Sequence, residues 1–223
     1  MVSYIEDNIK GIQKEVSNGV HLIAVSKTRT IEEMEVVYSF GLRDFGENKV
    51  QELVNKIQTF HQDVRWHLIG HLQKNKVKYI AGKVFLIHSL DSIELLNEIE
   101  KRYLQINSVA DCLIQINIGR EETKSGIALE EYPLLLEACE KCKNVKIRGL
   151  MAIIPKGNED SCKIYFQKMK KIWDETKSKQ YTNISMDYLS MGMTGDYRIA
   201  VKEGTNMIRI GEGIFGKRIY NNK

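Results

Sequence analysis

Short apolar, β-branched runs alternate with longer stretches of helical periodicity along almost the whole chain, and this alternation constrains the fold more than any other feature. The runs are HLIAVS (21–26), RDFG (43–46), RWHLIG (65–70), VFLIHSL (84–90), DCLIQINI (111–118), KIRGLMAII (146–154), MDYLSMG (186–192) and NMIRIG (206–211). Between them lie 3.6-period segments such as 30–40, 92–104, 129–142 and the tract from Asp160 to Lys179, and a helix over about 2–17 precedes the first run. Runs with little polar alternation read as strands buried on both faces, and helical crossovers force them to pair in parallel. Eight such units in 223 residues predict an α/β fold, a (β/α)8 TIM barrel with an extra N-terminal helix, as one domain over 1–223. A doubly wound open sheet is the rival. It should carry a glycine-rich turn after the first strand, and 21–30 contains no glycine.

Composition supports one sizeable core, with 43% hydrophobic and 28% charged residues. The net charge of +4 sets 33 basic against 29 acidic residues with no basic block, so no nucleic-acid partner is expected, and an anionic small molecule suits the chain better. No signal peptide is legible at the N-terminus and no apolar run reaches the roughly 18 residues of a membrane helix, so the expected location is the cytoplasm, with no membrane partner. Cys139 and Cys142 form a CEKC near the end of a helical pattern and read as two thiols on a helix, since no second pair accompanies them. His67 and His71 in HLIGH lack further ligands nearby, so no metal is expected. The lysines of 160–179 read as a solvated outer face.

In a barrel of this kind the chemistry sits at the C-terminal ends of the strands. Those ends are Lys27, Gly46-Glu47-Asn48, Gly70-His71, Ser89, Asn117, Met151, Ser190 through Met193, and Arg209-Ile210-Gly211. Lys27 shares a strand face with Ile23 and Val25, which aims it into the barrel mouth. A partly desolvated lysine there is an amine nucleophile toward an aldehyde; the other reading is a lysine that snorkels to water. YLSMGMTGD (188–196) and MIRIGEGIFG (207–216) supply hydroxyls and glycines where barrels often bind phosphate, or else a pair of tight turns closing the barrel. GEGIFG matches a dinucleotide fingerprint by spacing only, because just seven residues follow Gly216 in the sequence and no βαβ unit is expected to succeed it. Arg209 lies inside the last strand and needs an acceptor. The pyridine nitrogen of pyridoxal 5′-phosphate (PLP) is one, and an ion pair with a carboxylate such as Glu47 is another.

The strings AVSKT (24–28), FGENKVQE (45–52), WHLIGHLQKNK (66–76), HSLDS (88–92), QINIGREETKSG (115–126), GLMAIIP (149–155), LSMGMTGD (189–196) and IRIGEGIFGKR (208–218) occur in an order that resembles the pyridoxal phosphate homeostasis proteins, the YggS/PROSC group. The resemblance runs from about residue 21 to 218. It implies a barrel of the alanine racemase N-terminal domain type that binds PLP, with Lys27 on the family's Schiff-base lysine and Arg209 facing the pyridine nitrogen. It places Ser190 and the backbone around Gly211 and Glu212 on the phosphate grip, with Gly192 and Thr194 in the same loop, and Asn48 at the cofactor rim. Lys49 stands where an aromatic is common and Thr194 where serine is common, and Thr194 keeps the hydroxyl.

The implied role is control of intracellular free PLP, with PLP-dependent apo-enzymes as acceptors, rather than turnover of a substrate. An arginine at the pyridine nitrogen leaves the ring unprotonated and weakens it as an electron sink. An amino-acid racemase is the enzymatic alternative, but it needs a second acid/base, which alanine racemase takes from a further domain, and the sequence is expected to have no room for one. A phosphate-handling isomerase or aldolase barrel is the other alternative.

Overall fold

The computed structural model describes residues 3–16, 19–121 and 124–217. Its strands are β1 (His21–Val25), β2 (Asp44–Glu47), β3 (Arg65–Leu68), β4 (Leu86–Leu90), β5 (Ala110–Gln115), β6 (Val145–Met151), β7 (Ile184–Ser190) and β8 (Met207–Ile210). Every neighbouring pair is parallel, and β8 returns to β1, which closes the barrel in chain order. All eight runs read from the sequence become strands, with ends shifted by up to three residues.

The helices are α1 (Ser3–Glu15), α2 (Ile31–Ser39), α3 (Val50–Thr59), α4 (Val77–Ile80), α5 (Ile93–Gln105), α6 (Tyr132–Glu140), α7 (Glu159–Lys177), α8 (Tyr197–Lys202) and α9 (Glu212–Phe215). Local chemistry sets several of the starts. Thr30 and Glu33 form a reciprocal capping box on α2, Ser92 caps α5, and Asn158 caps α7. The predicted N-terminal helix is α1; residues 2 and 17 of its expected span lie outside the described residues, as do 122, 123 and 218 of the compared strings. On α7, Lys163, Lys168, Lys171, Lys177 and Lys179 at its end are exposed, the outer face expected of them. No helix among the described residues is long and apolar enough to cross a membrane.

Two layers fill the molecule. Outward strand residues such as Ala24, Phe45, Leu68 and Ile87 pack under the helices in one continuous core. Ile23, Leu86, Leu113, Met151 and Met207 form a separate cluster inside the barrel. Gly149 makes the β6–β7 contact possible, because it sits at φ +145° and a Cβ there would lie 1.8 Å from the Tyr188 carbonyl oxygen. The N-terminal helix braces the far end of the chain: Tyr4 Oη donates to the Phe215 carbonyl at 3.1 Å and Asn8 Nδ2 to that of Ile214 at 2.9 Å.

Two rim expectations are corrected by the packing. Ser89 is fully buried within β4, and Met151 belongs to the barrel interior. The glycine-rich end at 211–216 is not only a turn: Glu212–Phe215 winds one turn of helix, α9, behind Gly211.

Candidate functional site

A cavity of about 670 Å³ opens at the C-terminal ends of the strands, a size suited to a small-molecule ligand. Strand alternation delivers its floor. On β1, Ile23 faces the interior cluster, and Val25 and Lys27 follow on the same face and line the cavity. Asn48, Thr194, Arg209, Gly211 and Glu212 line it as well, so six of the eight residues picked from the sequence meet in one place. Among the described residues the lining carries Lys27, Arg29, Lys156, Arg209 and Lys217 against one carboxylate, that of Glu212, which makes the cavity a place for an anion.

Ser190 and Gly192 stand apart from that lining. The Ser190 hydroxyl lies beneath Arg209: Arg209 Nη1 donates to its Oγ at 2.6 Å, and His88 Nδ1 lies 3.1 Å away. The Gly192 carbonyl accepts the Arg209 backbone N–H at 3.0 Å, so this glycine serves the end of β8. Of the two hydroxyl-bearing residues Ser190 and Thr194, Thr194 is the one that lines the cavity, and its Oγ1 accepts the N–H of Gly213 at 3.0 Å and so ties the β7 loop to α9. Loops after strands seven and eight joined to a short helix are the common phosphate site of such barrels.

Arg209 is almost fully buried, and its Nη2 donates to the Ala152 carbonyl at 3.0 Å. Burial lowers its pKa to about 10, against the opposing field of Asp196, and it remains a cation at neutral pH. The alternative of an Arg209–Glu47 ion pair does not form. Glu47 Oε1 accepts from Ser26 Oγ at 2.6 Å and from Lys56 Nζ at 2.8 Å, on the other side of β1 from the cavity.

Lys27 sits half-buried at the mouth, with its neighbours on both sides held to β2 and α3. Asn48 Oδ1 is buried at the cavity with no hydrogen-bond partner among the described residues, an acceptor left for a ligand group. His71 pairs with Asp91 at 3.3 Å, and His67 lies inside the barrel between Asp44 and His88. Burial pushes the Cys139 thiol well above its usual range, and the Cys142 thiol is raised to about 11, so neither has the character of a reactive thiolate.

Sequence reasoning overlooked Asp44 and His88. The available signal was parity: Asp44 alternates with Gly46 on β2 and with Asn48 just past its end, and His88 with Leu86 on β4, which aims both into the barrel.

Residues 2–218 match the family of the alanine racemase N-terminal domain. A pyridoxal phosphate homeostasis protein of Aquifex aeolicus is 43% identical over 205 residues, which are 91% of this chain and 89% of that protein. PipY of Synechococcus elongatus, solved with PLP bound, is 30% identical and superposes with a TM-score of 0.87 over 95% of this chain and 100% of its own. An alanine racemase of Clostridium difficile shares the fold alone, with 13% identity and a TM-score of 0.76 over 99% of this chain and 61% of that enzyme.

Proposed function

The chain belongs to the alanine racemase N-terminal domain family and, within it, to the pyridoxal phosphate homeostasis proteins, and from that premise we propose that it binds PLP through Lys27 and stores and passes on the cofactor. The observation that carries this reading is that Lys27 and Arg209 line one cavity whose buried Asn48 Oδ1 lacks a partner among the described residues. When bound, the cofactor supplies an aldehyde for the Lys27 amine and a pyridine ring whose chemistry depends on the charge opposite its nitrogen.

The chain's own residues divide the work. Lys27 supplies the amine. Thr194 and the backbone at Gly195, Gly211 and Glu212 hold the phosphate, with Lys156 and Lys217 adding charge at the rim. Thr194 takes the part that the resemblance gives to Ser190, because Thr194 and not Ser190 lines the cavity. Asn48 meets a polar group on the ring. Arg209, held as a cation on the floor, disfavours a second positive charge on the ring nitrogen. Neither tyrosine nor histidine lines the cavity among the described residues, so the second acid/base of a racemase has no evident source. Lys156, Glu212 and Lys217 on the rim are exposed, which favours exchange with acceptor apo-enzymes over guarded chemistry.

The test is borohydride reduction of the PLP-loaded protein followed by peptide mapping. The expected adduct is on Lys27, and an adduct on another lysine, or none, overturns the assignment. Incubation with L- and D-amino acids should give no turnover on the enzymatic scale of about 1–10³ s⁻¹, while a PLP-free acceptor enzyme gains activity.

A further inference from the structure

A line of hydrogen bonds crosses the barrel interior from β2 to β8. Asp44 Oδ1 lies 3.0 Å from His67 Nε2, His67 Nδ1 lies 3.0 Å from His88 Nε2, His88 Nδ1 lies 3.1 Å from Ser190 Oγ, and Arg209 Nη1 donates to that oxygen at 2.6 Å. His67, His88, Ser190 and Arg209 are each buried to within a few per cent, and the Asp44 side chain is 14% exposed. Strands β4 and β7 do not pair with each other, so the His88–Ser190 contact spans the lumen. Elsewhere the lumen is filled by Ile23, Leu86, Leu113, Met151 and Met207, so a polar chain is not what packing alone requires.

We propose that Asp44, His67, His88 and Ser190 form a proton-ordered positioning relay, with both imidazoles neutral, that fixes the Arg209 guanidinium on the cavity floor.

The ends of the chain set its direction. Arg209 can only donate, so Ser190 Oγ accepts from it and turns its own proton to His88 Nδ1. His88 then carries its proton on Nε2 and donates to His67 Nδ1. His67 in turn carries its proton on Nε2 and donates to the Asp44 carboxylate. Each bond thus has one proton and each imidazole has one. The reverse order leaves the bare Nε2 of His67 facing a carboxylate oxygen at 3.0 Å, two acceptors with nothing between them, unless a buried imidazolium forms.

The surroundings oppose that imidazolium. Burial lowers the pKa of His67, partly offset by Asp44, while Arg65 and His21 add positive field. Burial lowers that of His88 further, and His67 and Arg209 act in the same direction. Asp44 is anchored as the anion by two bonds from Arg65 as well as by His67. At the other end Arg209 meets Ser190 Oγ, the Ala152 carbonyl and the field of Asp196. With the Ser190 proton turned away, its oxygen presents a lone pair to the guanidinium. With the order reversed, a hydroxyl hydrogen comes to the side of a buried cation. The relay therefore keeps the arginine in one pose, and only the statement of what Arg209 faces in the cavity rests on the cofactor reading.

Histidine-selective ¹⁵N labelling of the ligand-free full chain tests the order directly. Long-range ¹H–¹⁵N spectra at pH 7 should show His67 and His88 as neutral Nε2–H tautomers, with His88 still neutral at pH 6. An Nδ1–H tautomer or an imidazolium at either site at pH 7 overturns the proposal. Asp44→Ala, at the outer end of the chain, should mix the tautomers of both histidines and speed hydrogen exchange at the Arg209 guanidinium. In the loaded protein the same variant should weaken PLP and pyridoxal alike, by about tenfold, the low end of what a lost bond to a charged group carries. The Asp44→Ala measurements decide between a relay and a simple packing contact. If they leave tautomers and exchange as in the wild type, Asp44 is a stability contact only and the relay falls. Failure of the wild-type chain to take up PLP strikes the cofactor reading instead, and leaves the tautomer result standing.

Discussion

Lys56 donates through Nζ to the carbonyl oxygen of Ser26 at 2.7 Å, so the third helix grips the backbone immediately before Lys27. The same ammonium bonds Glu47 Oε1 at 2.8 Å and Glu52 Oε1 at 2.7 Å. Glu52 Oε1 also accepts the N–H of Thr28 at 2.6 Å, where the backbone takes φ +63°. Lys27 is thus pinned on both sides by groups that do not line the cavity.

Removing the ammonium should be expensive. Glu47 is fully buried, and burial pushes its carboxyl up against the opposing pull of Lys56 and Ser26. Lys56→Met leaves that carboxyl without its cation, and breaking a buried pair typically costs about 3–5 kcal/mol. Urea unfolding should report a loss of this size, and surviving folded protein should react with PLP more slowly at Lys27. A loss under about 1 kcal/mol would show that the cluster is not a unit.

Two hydroxyls four residues apart should separate by ligand. Thr194 borders the cavity, so Thr194→Val should weaken PLP by about ten- to a hundredfold and pyridoxal much less, since only PLP carries the phosphate. Ser190 holds Arg209, so Ser190→Ala should weaken both ligands equally. Equilibrium titrations with each ligand check the pair, and a phosphate-selective loss at Ser190 reverses the assignment.

These two residues also show where legibility in the sequence stopped. Eight apolar runs announced eight strands, because burial on both faces leaves a signal within a single segment. The placing of Lys27, Asn48 and Arg209 at the strand ends needed only the rule for barrels. Ser190 and Thr194 both looked like phosphate ligands, since either sits in the loop region after β7, and the difference between them depends on β4. His88 takes the Ser190 hydroxyl from across the lumen, a contact 102 positions away in sequence that no local pattern announces. Helix α3 went unread for a different reason: its value lies in Lys56 and Glu52, polar residues whose partners come from β1 and β2.

The pairing of β6 with β7 should fail at Gly149. Its φ of +145° is a conformation that other residues rarely adopt, and a Cβ would lie 1.8 Å from the Tyr188 carbonyl oxygen, part of the sheet backbone. Gly149→Ala should therefore destabilise by more than the about 1–3 kcal/mol usual for overpacking a core. Gly46→Ala meets only side chains, Ile23 Cγ2 at 2.9 Å and Ile69 Cδ1 at 3.2 Å, and should stay within that range. Thermal unfolding of both variants ranks them, and a milder effect at Gly149 would mean that the two strands can separate locally without loss.

The buried histidines should make the barrel acid-sensitive above the range in which carboxylates titrate. His88 has a folded pKa well below its ordinary value of 6.5, and that of His67 is also lowered, in both cases first by burial. For a base shifted in this direction the unfolded chain binds more protons than the folded one at mildly acidic pH. The resulting stability is present in full above about pH 6.5 and is lost as the pH falls below it. Each such histidine adds a slope of at most about 1.4 kcal/mol per pH unit. Asp44 acts lower down. Burial raises its carboxyl, but Arg65 and His67 outweigh burial and hold it well below its ordinary 3.8, so its contribution is intact above that value and is lost only in stronger acid. Urea midpoints taken at half-unit steps from pH 7 to pH 5 should decline in the wild type. His88→Gln should lower stability at pH 7 yet show a slope shallower by up to one proton over the same interval, because it removes the group that titrates only when unfolded. An equal slope in the two proteins would mean that His88 titrates in the fold as it does in the unfolded chain, and burial would then not be holding the imidazole neutral.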